Sequence, residues 1–252
     1  GTLYTVCNSN LLFHASVPLN DDGSLKRVLV ENKEYQCKEL LDKVEKLVRR
    51  AYFKDKMLDQ PTYAMDYVWY LWCGKDSPAF DKDKMTTFER YFIADKTLHK
   101  EEKGIYYTLR NEESTCLMLL DEFEVRGKHR HIINGHVPVK IKKGESPVKA
   151  NGRLLVIDGG FSRAYQPETG IAGYTLVYNS HGMQLVQHEP FTTSQLAISK
   201  GIEIKSTNML VEYDWQRMMV KDTDIGQELK KQVEDLKKLL TAYRKGLIKQ
   251  RR

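Results

Sequence analysis

Apolar residues alternate and then run together at the start of the chain, in Leu3-Tyr-Thr-Val-Cys7 and Leu11-Leu-Phe13, a pattern that predicts strands. Asn20-Asp-Asp-Gly23 predicts a tight turn after them. The period then changes. Leu40, Leu41, Val44, Leu47, Val48 and Ala51 recur at three- and four-residue spacing, the stripe of an amphipathic helix that must end before Pro61. Pro61 is expected to open a second helix through Tyr63, Tyr67, Tyr70 and Leu71, closed by Gly74. Further helices are expected after a cap at Thr86 or Thr87 and over residues 113–124. His131-Ile-Ile-Asn-Gly-His136 reads as a short buried strand that breaks at Gly135. Strands over 154–158 and 174–178 flank a glycine-rich loop, and Asn179-Ser-His-Gly182 turns the chain into 183–186 as a hairpin. Ile225, Leu229, Val233, Leu236, Leu240, Tyr243 and Leu247 mark a long final helix, with Asp224 as its cap and Gln227 at the capping-box position.

These elements predict a mixed α/β protein with four segments. A strand-rich start (1–29) precedes a mostly helical insert (30–125), a second strand-rich part (126–220) and a C-terminal helix (221–252). Composition narrows the classes. At 252 residues, 41% hydrophobic and 29% charged, the chain can bury a sizeable core. No apolar run approaches the roughly 18 residues of a membrane span, so no membrane partner is expected. Forty Lys and Arg against 34 Asp and Glu leave a charge of +6, which favours anionic ligands. Nucleic acid is not expected, because Glu228, Glu234 and Asp235 interrupt the lysine-rich face of the last helix. Cys7, Cys37, Cys73 and Cys116 form no Cys-x-x-Cys pair, as in a reduced, cytoplasmic protein.

Two of the seven histidines share a context. His14 follows Leu-Leu-Phe and precedes Pro18, while His136 follows Ile-Ile-Asn-Gly and precedes Pro138. Each stands at the C-terminal end of a predicted strand, where α/β sheets place their ligands, and neutral imidazole is the commonest metal-ligand group. Each reads equally as a hydrogen-bonded core or loop histidine. His129 and His131 are read as structural.

Longer motifs carry a resemblance. His131-Ile-Ile-Asn-Gly-His-Val-Pro-Val139, Gly144-Glu-Ser-Pro147, Val156-Ile-Asp-Gly-Gly-Phe-Ser162, Asn8-Ser-Asn-Leu-Leu-Phe-His14, Trp69-Tyr-Leu-Trp-Cys-Gly74 and Lys84-Met-Thr-Thr-Phe-Glu-Arg-Tyr-Phe92 resemble the class III fructose-1,6-bisphosphatases of bacteria. The likeness runs from about Leu3 to Lys245. It implies the C-terminal part of a calcineurin-like metallophosphoesterase sandwich, a family whose two-metal site is built from five sequence blocks. His14 resembles the lone-His block and His136 the final Gly-His block, both metal ligands there. Pro138 stands where one branch carries a further ligand. The blocks Asp-x-His, Gly-Asp-x-x-Asp and Gly-Asn-His-Glu do not occur. The resemblance therefore implies a C-terminal portion, binding Mn²⁺ weakly alone and inactive without a missing N-terminal portion.

The family's substrate, fructose 1,6-bisphosphate, asks for phosphate-binding groups. Arg163 and Tyr165, in the loop after Asp158-Gly-Gly, are candidates, with a tight connection bearing a surface arginine as the alternative. Lys75, Lys82, Lys84 and Arg90 form a basic run that reads as a second anion pocket or as a solvated charged face. Ala15 and Asp81 stand where the family pattern has Gly. The implied reaction is hydrolysis of the 1-phosphate to fructose 6-phosphate in gluconeogenesis. The competing expectation is a non-catalytic regulatory or assembly portion, with the insert and the last helix making homo-oligomer contacts.

Overall fold

The computed structural model describes residues 1–158, 166–191, 193–201 and 206–248. The chain divides into two units, residues 1–175 with 186–207 and residues 176–185 with 208–252. In the first, β1 (Tyr4–Cys7) and β2 (Asn10–Phe13) pair antiparallel, with Tyr4 opposite Phe13. Asn8 and Ser9 make the two-residue loop at φ 47° and 62°, the left-handed pair whose twist suits a tight hairpin. In the Asn20–Gly23 turn the Gly23 N–H donates to the Asn20 carbonyl at 2.9 Å.

A second hairpin, β3 (Val28–Val30) and β4 (Lys33–Tyr35), leads into α1 (Cys37–Phe53) and α2 (Tyr63–Cys73). Leu40, Val44, Leu47 and Ala51 of α1 pack with Ala64, Tyr67 and Leu71 of α2 and with Val28 and Val30 in one buried cluster. Each large side chain in it contributes about 1.5–3 kcal/mol through burial. Pro61 lies outside α2. The cap is Thr62, whose hydroxyl accepts the Met65 N–H at 3.4 Å, a bond that proline has no side-chain oxygen to make. Gly74 does end α2, but with an extended backbone.

Three more helices follow: α3 (Thr87–Phe92), α4 (Tyr106–Leu109) and α5 (Glu113–Glu122). Thr86 precedes α3 without capping it. Its hydroxyl instead bonds the His99 carbonyl at 3.1 Å and the Glu101 carboxylate at 2.9 Å. α5 stops at Glu122, short of the expected end, because Glu124 turns left-handed at φ 59°.

The main sheet adds β5 (His131–Asn134), β6 (Val148–Lys149) and β7 (Leu154–Val156) in the order β1-β2-β5-β7-β6. β2, β5 and β7 run parallel, while β1 and β6 pair antiparallel at the edges. β5 is buried at every position, as expected of a central parallel strand covered on both faces. α5 packs against β5, with Cys116, Leu119 and Leu120 buried. The architecture is α/β.

Next come α6 (Gln166–Thr169), β8 (Gly173–Asn179), β9 (Gly182–His188), α7 (Ser194–Lys200) and β10 (Ser206–Tyr213), the strands forming a sheet in the order β10-β9-β8. The second unit ends in α8 (Asp224–Arg244). Thr223, not Asp224, caps α8 by accepting the Gly226 N–H at 3.1 Å. Gln227 donates to the Lys221 carbonyl at 2.7 Å, so it does not close a capping box. The stripe of Ile225, Leu229, Val233, Leu236, Leu240 and Tyr243 is exposed. Among the described residues no helix is long and apolar enough to cross a membrane.

Candidate metal and phosphate site

Parallel pairing decides where the two histidines go. β2 and β5 are neighbours with Phe13 opposite Asn134, so both strands release their chains at the same sheet end. That end is where ligands bind in α/β sheets. The Gly135 N–H donates to the His14 carbonyl at 3.0 Å, holding the two exits together. Asn134 adds to this: its side-chain amide lies 3.1 Å from each of the carbonyls of Phe13, His14 and Ala15. His136 then takes a left-handed φ of 70°, which turns its side chain back across the gap. Nδ1 of His136 sits 3.1 Å from Nε2 of His14, with the ring planes at 81°.

The electrostatics favour the metal-binding form of His136. Burial, helped by His14, Lys82 and Lys103, pushes its pKa down to about 4, against an opposing pull from Asp158. A neutral imidazole keeps a lone pair for a metal. Two ligands about 2.1 Å from one ion and at right angles to each other stand about 3 Å apart. The His14–His136 separation fits neighbouring positions on a single ion. Among the described residues, no group of three or more His, Cys, Asp or Glu is gathered in metal-binding proximity. The two imidazoles therefore fit part of a ligand set, not all of one.

Behind His136 stands Tyr107, with ring centroids 6.4 Å apart and planes at 28°. The Arg110 guanidinium carbon is 5.0 Å from the centre of the same ring and the Lys103 ammonium 5.8 Å. Arg110 is buried, and its guanidinium donates to Oδ1 of Asn134 at 2.6 Å. Sequence reasoning missed Lys103, Tyr107 and Arg110. Asn134 lies within the His131–Val139 motif, with no role evident from the sequence. An arginine beside two tyrosines, Tyr106-Tyr107, was the signal available.

Of the basic run, Lys82 alone has a charge that acts on His136, and it also pairs with Glu101 at 2.7 Å. Arg90 is held by structural bonds, to Thr86 Oγ1 at 3.0 Å and the His99 carbonyl at 3.1 Å. Lys75 and Lys84 are exposed. Arg163 and Tyr165 lie outside the described residues. Of the pair read as structural, His131 is buried at the start of β5. The four cysteines are free thiols.

A sequence model for the Firmicute fructose-1,6-bisphosphatases matches residues 1–245. The chain belongs to this family. A "Fructose-1,6-bisphosphatase class 3" from Bacteroides fragilis is 66% identical over 251 residues, covering 100% of this chain and 38% of the relative. Proteins of the same name from Bacteroides thetaiotaomicron (65% over 251 residues, 100% and 38%) and Clostridium botulinum (57% over 250 residues, 99% and 37%) are also similar. The chain thus spans a little over a third of the length of the curated relatives it matches. No solved structure matches it.

Proposed function

We propose that this chain is the C-terminal portion of a metal-dependent fructose-1,6-bisphosphatase of calcineurin-like sandwich architecture. The observation that carries this reading is the His14–His136 pair at the carboxyl ends of β2 and β5, inside a family whose relatives bear that name. His14 and His136 would hold one Mn²⁺ of a two-metal site, and the longer polypeptide would supply the carboxylates and other ligands. Imidazole together with carboxylate suits Mn²⁺. Held there, such ions would supply positive charge to acidify a water and to offset charge on the phosphoryl group. The chain's own contribution is to fix both imidazoles through Asn134 and to keep His136 neutral. Lys82 and, beyond the described residues, Arg163 and Tyr165 would orient the phosphates. The reaction is fructose 1,6-bisphosphate plus water to fructose 6-phosphate plus phosphate, a gluconeogenic step. Four free thiols support a reducing, cytoplasmic setting.

The test is phosphate release with Mn²⁺ by this chain alone and by the full polypeptide that carries it. Turnover by the full polypeptide only, lost in His136→Ala, is the expected result. Robust turnover by this chain alone would overturn the reading of an incomplete site.

A second role, assembly with another copy of the chain, is supported by α8. Leu229, Val233, Leu236, Leu240 and Tyr243 are exposed at alternating three- and four-residue spacing, the seam of a coiled coil. Sedimentation should show a larger species that Leu236→Lys reduces to monomer. A monomeric parent protein would end this reading.

A further inference from the structure

The backbone sets two lysines face to face beside the histidines. Lys82 and Lys103 form an antiparallel bridge. It is extended on both sides by Gly104 N–H to the Asp81 carbonyl at 2.8 Å and Asp83 N–H to the Glu102 carbonyl at 2.9 Å. Directly opposed residues of an antiparallel pair send their side chains to the same face, where like charges destabilise. Lys82 has an offset in Glu101, at 2.7 Å. Lys140, whose charge also reaches Lys103, has one in Glu168 at 3.5 Å. Lys103 differs. Among the described residues, no carboxylate lies within ion-pair distance of its ammonium, which instead lies over the Tyr107 ring. Lys82, Lys140 and Arg110 all act on it with charge of its own sign, and only Glu145 acts in the other direction.

We propose that Lys103, with Lys82, is the subsite for the non-reacting phosphate of a bisphosphorylated sugar, and that Lys103 sets the preference for a bisphosphate over a monophosphate. This rests on the bisphosphatase reading above. The reacting phosphate must lie at the imidazole pair. His136 and the Lys103 ammonium share the Tyr107 ring as a neighbour, with 6.4 Å from ring to imidazole and 5.8 Å from ring to amine. These two distances keep the Lys103 ammonium within the span of a small sugar bisphosphate whose other phosphate lies at the imidazoles. A doubly charged phosphate would supply the counter-charge that Lys103 lacks. Burial and the neighbouring cations also lower the pKa of Lys103, a cost that a bound phosphate removes.

The experiment compares Lys103→Ala and Lys103→Arg with the parent in the full polypeptide. With Mn²⁺, kcat/KM is measured for fructose 1,6-bisphosphate and for p-nitrophenyl phosphate. Losing one charge-assisted phosphate contact in the alanine variant should cut the bisphosphate-to-monophosphate ratio about tenfold or more, mainly through KM, with arginine restoring most of it. Calorimetry of fructose 1,6-bisphosphate binding in metal-free buffer reads the subsite without turnover, and the alanine variant should bind about tenfold more weakly. Equal losses on both substrates, or unchanged binding of the bisphosphate, would overturn the assignment. A parent protein that binds the bisphosphate through Lys103 but never hydrolyses it would sink the bisphosphatase reading and leave the subsite standing.

Discussion

The guanidinium of Arg110 donates to Oδ1 of Asn134 at 2.6 Å, and this bond ties the helical insert to the strand end that carries the histidines. The other end of the same amide holds the carbonyls of Phe13, His14 and Ala15. Asn134 thus donates at one side and accepts at the other, with 1% of its surface exposed. Both histidine-bearing exits and a buried cation depend on one side chain.

Asn134→Ala removes the acceptor of a buried charged donor and the donor of three carbonyls together. The cost of leaving such groups unpaired is about 2–4 kcal/mol. Urea unfolding should show that loss, and Mn²⁺ affinity should fall because the His14 loop is no longer held. Full stability in the variant would show that water replaces the amide without cost.

How much of this was legible beforehand depended on the range of the contacts involved. His14 and His136 could be picked out because each carries a local signature, an apolar strand before it and a proline after it. That the strands are adjacent and parallel is a tertiary fact, and only this brings the imidazoles to 3.1 Å. Lys103 and Arg110 carry no local signature. Lys103 matters because the backbone sets it opposite Lys82, and Arg110 because it reaches Asn134, 24 residues on. The basic run of Lys75, Lys82, Lys84 and Arg90 divides for the complementary reason. Charges adjacent in sequence need not converge in space, and Arg90 is used up by Thr86 and His99. Helix ends failed by a residue or so, at Thr62 and Thr223, where a hydroxyl competes for the cap with a neighbouring Pro or Asp.

Gly104 tests how closely the ladder beneath the two lysines is packed. A Cβ there would collide with the carboxylate of Asp81. Asp81 is buried, so its carboxyl has little room to retreat. Gly104→Ala should destabilise by about 1–3 kcal/mol, as overpacking does. It should also weaken bisphosphate binding by shifting Lys103. A thermal melt matching the parent's would show that Asp81 swings aside freely.

Asp81 itself should make the protein less stable as pH rises. Burial, with a smaller contribution from Asp76, pushes its carboxyl from the ordinary 3.8 up to about 6, against the pull of Ser16 and Lys26. A raised acid pKa means that the folded state holds its proton longer than the unfolded chain does. The stabilisation is therefore complete below pH 3.8 and is lost as pH rises through 6, a difference of about 3 kcal/mol. Asp81→Asn keeps the shape without the charge, and asparagine tolerates the left-handed φ of 47° found here. At pH 7 to 8 it should raise the urea midpoint. An unchanged or lower midpoint there would mean that the ionised carboxylate has a partner that compensates its burial.

His131 pulls the other way. Burial, then Arg153 and His129, lower its pKa from the ordinary 6.5 to about 4. A depressed base stays neutral in the folded state while the unfolded chain takes up a proton. Its stabilisation is full above pH 6.5 and is lost as pH falls through 4, again by about 3 kcal/mol. The windows of His131 and Asp81 overlap between pH 4 and 6 with opposite slopes, so in the parent protein they partly cancel. Each single variant should unmask the other group. Asp81→Asn should steepen the loss of stability on acidification, whereas His131→Phe should flatten or reverse it across the same range. Urea midpoints taken at half-unit steps from pH 4 to 7 check both at once. Parallel curves for the parent and His131→Phe would show that folding leaves proton uptake by His131 unchanged over this range, against the depressed pKa.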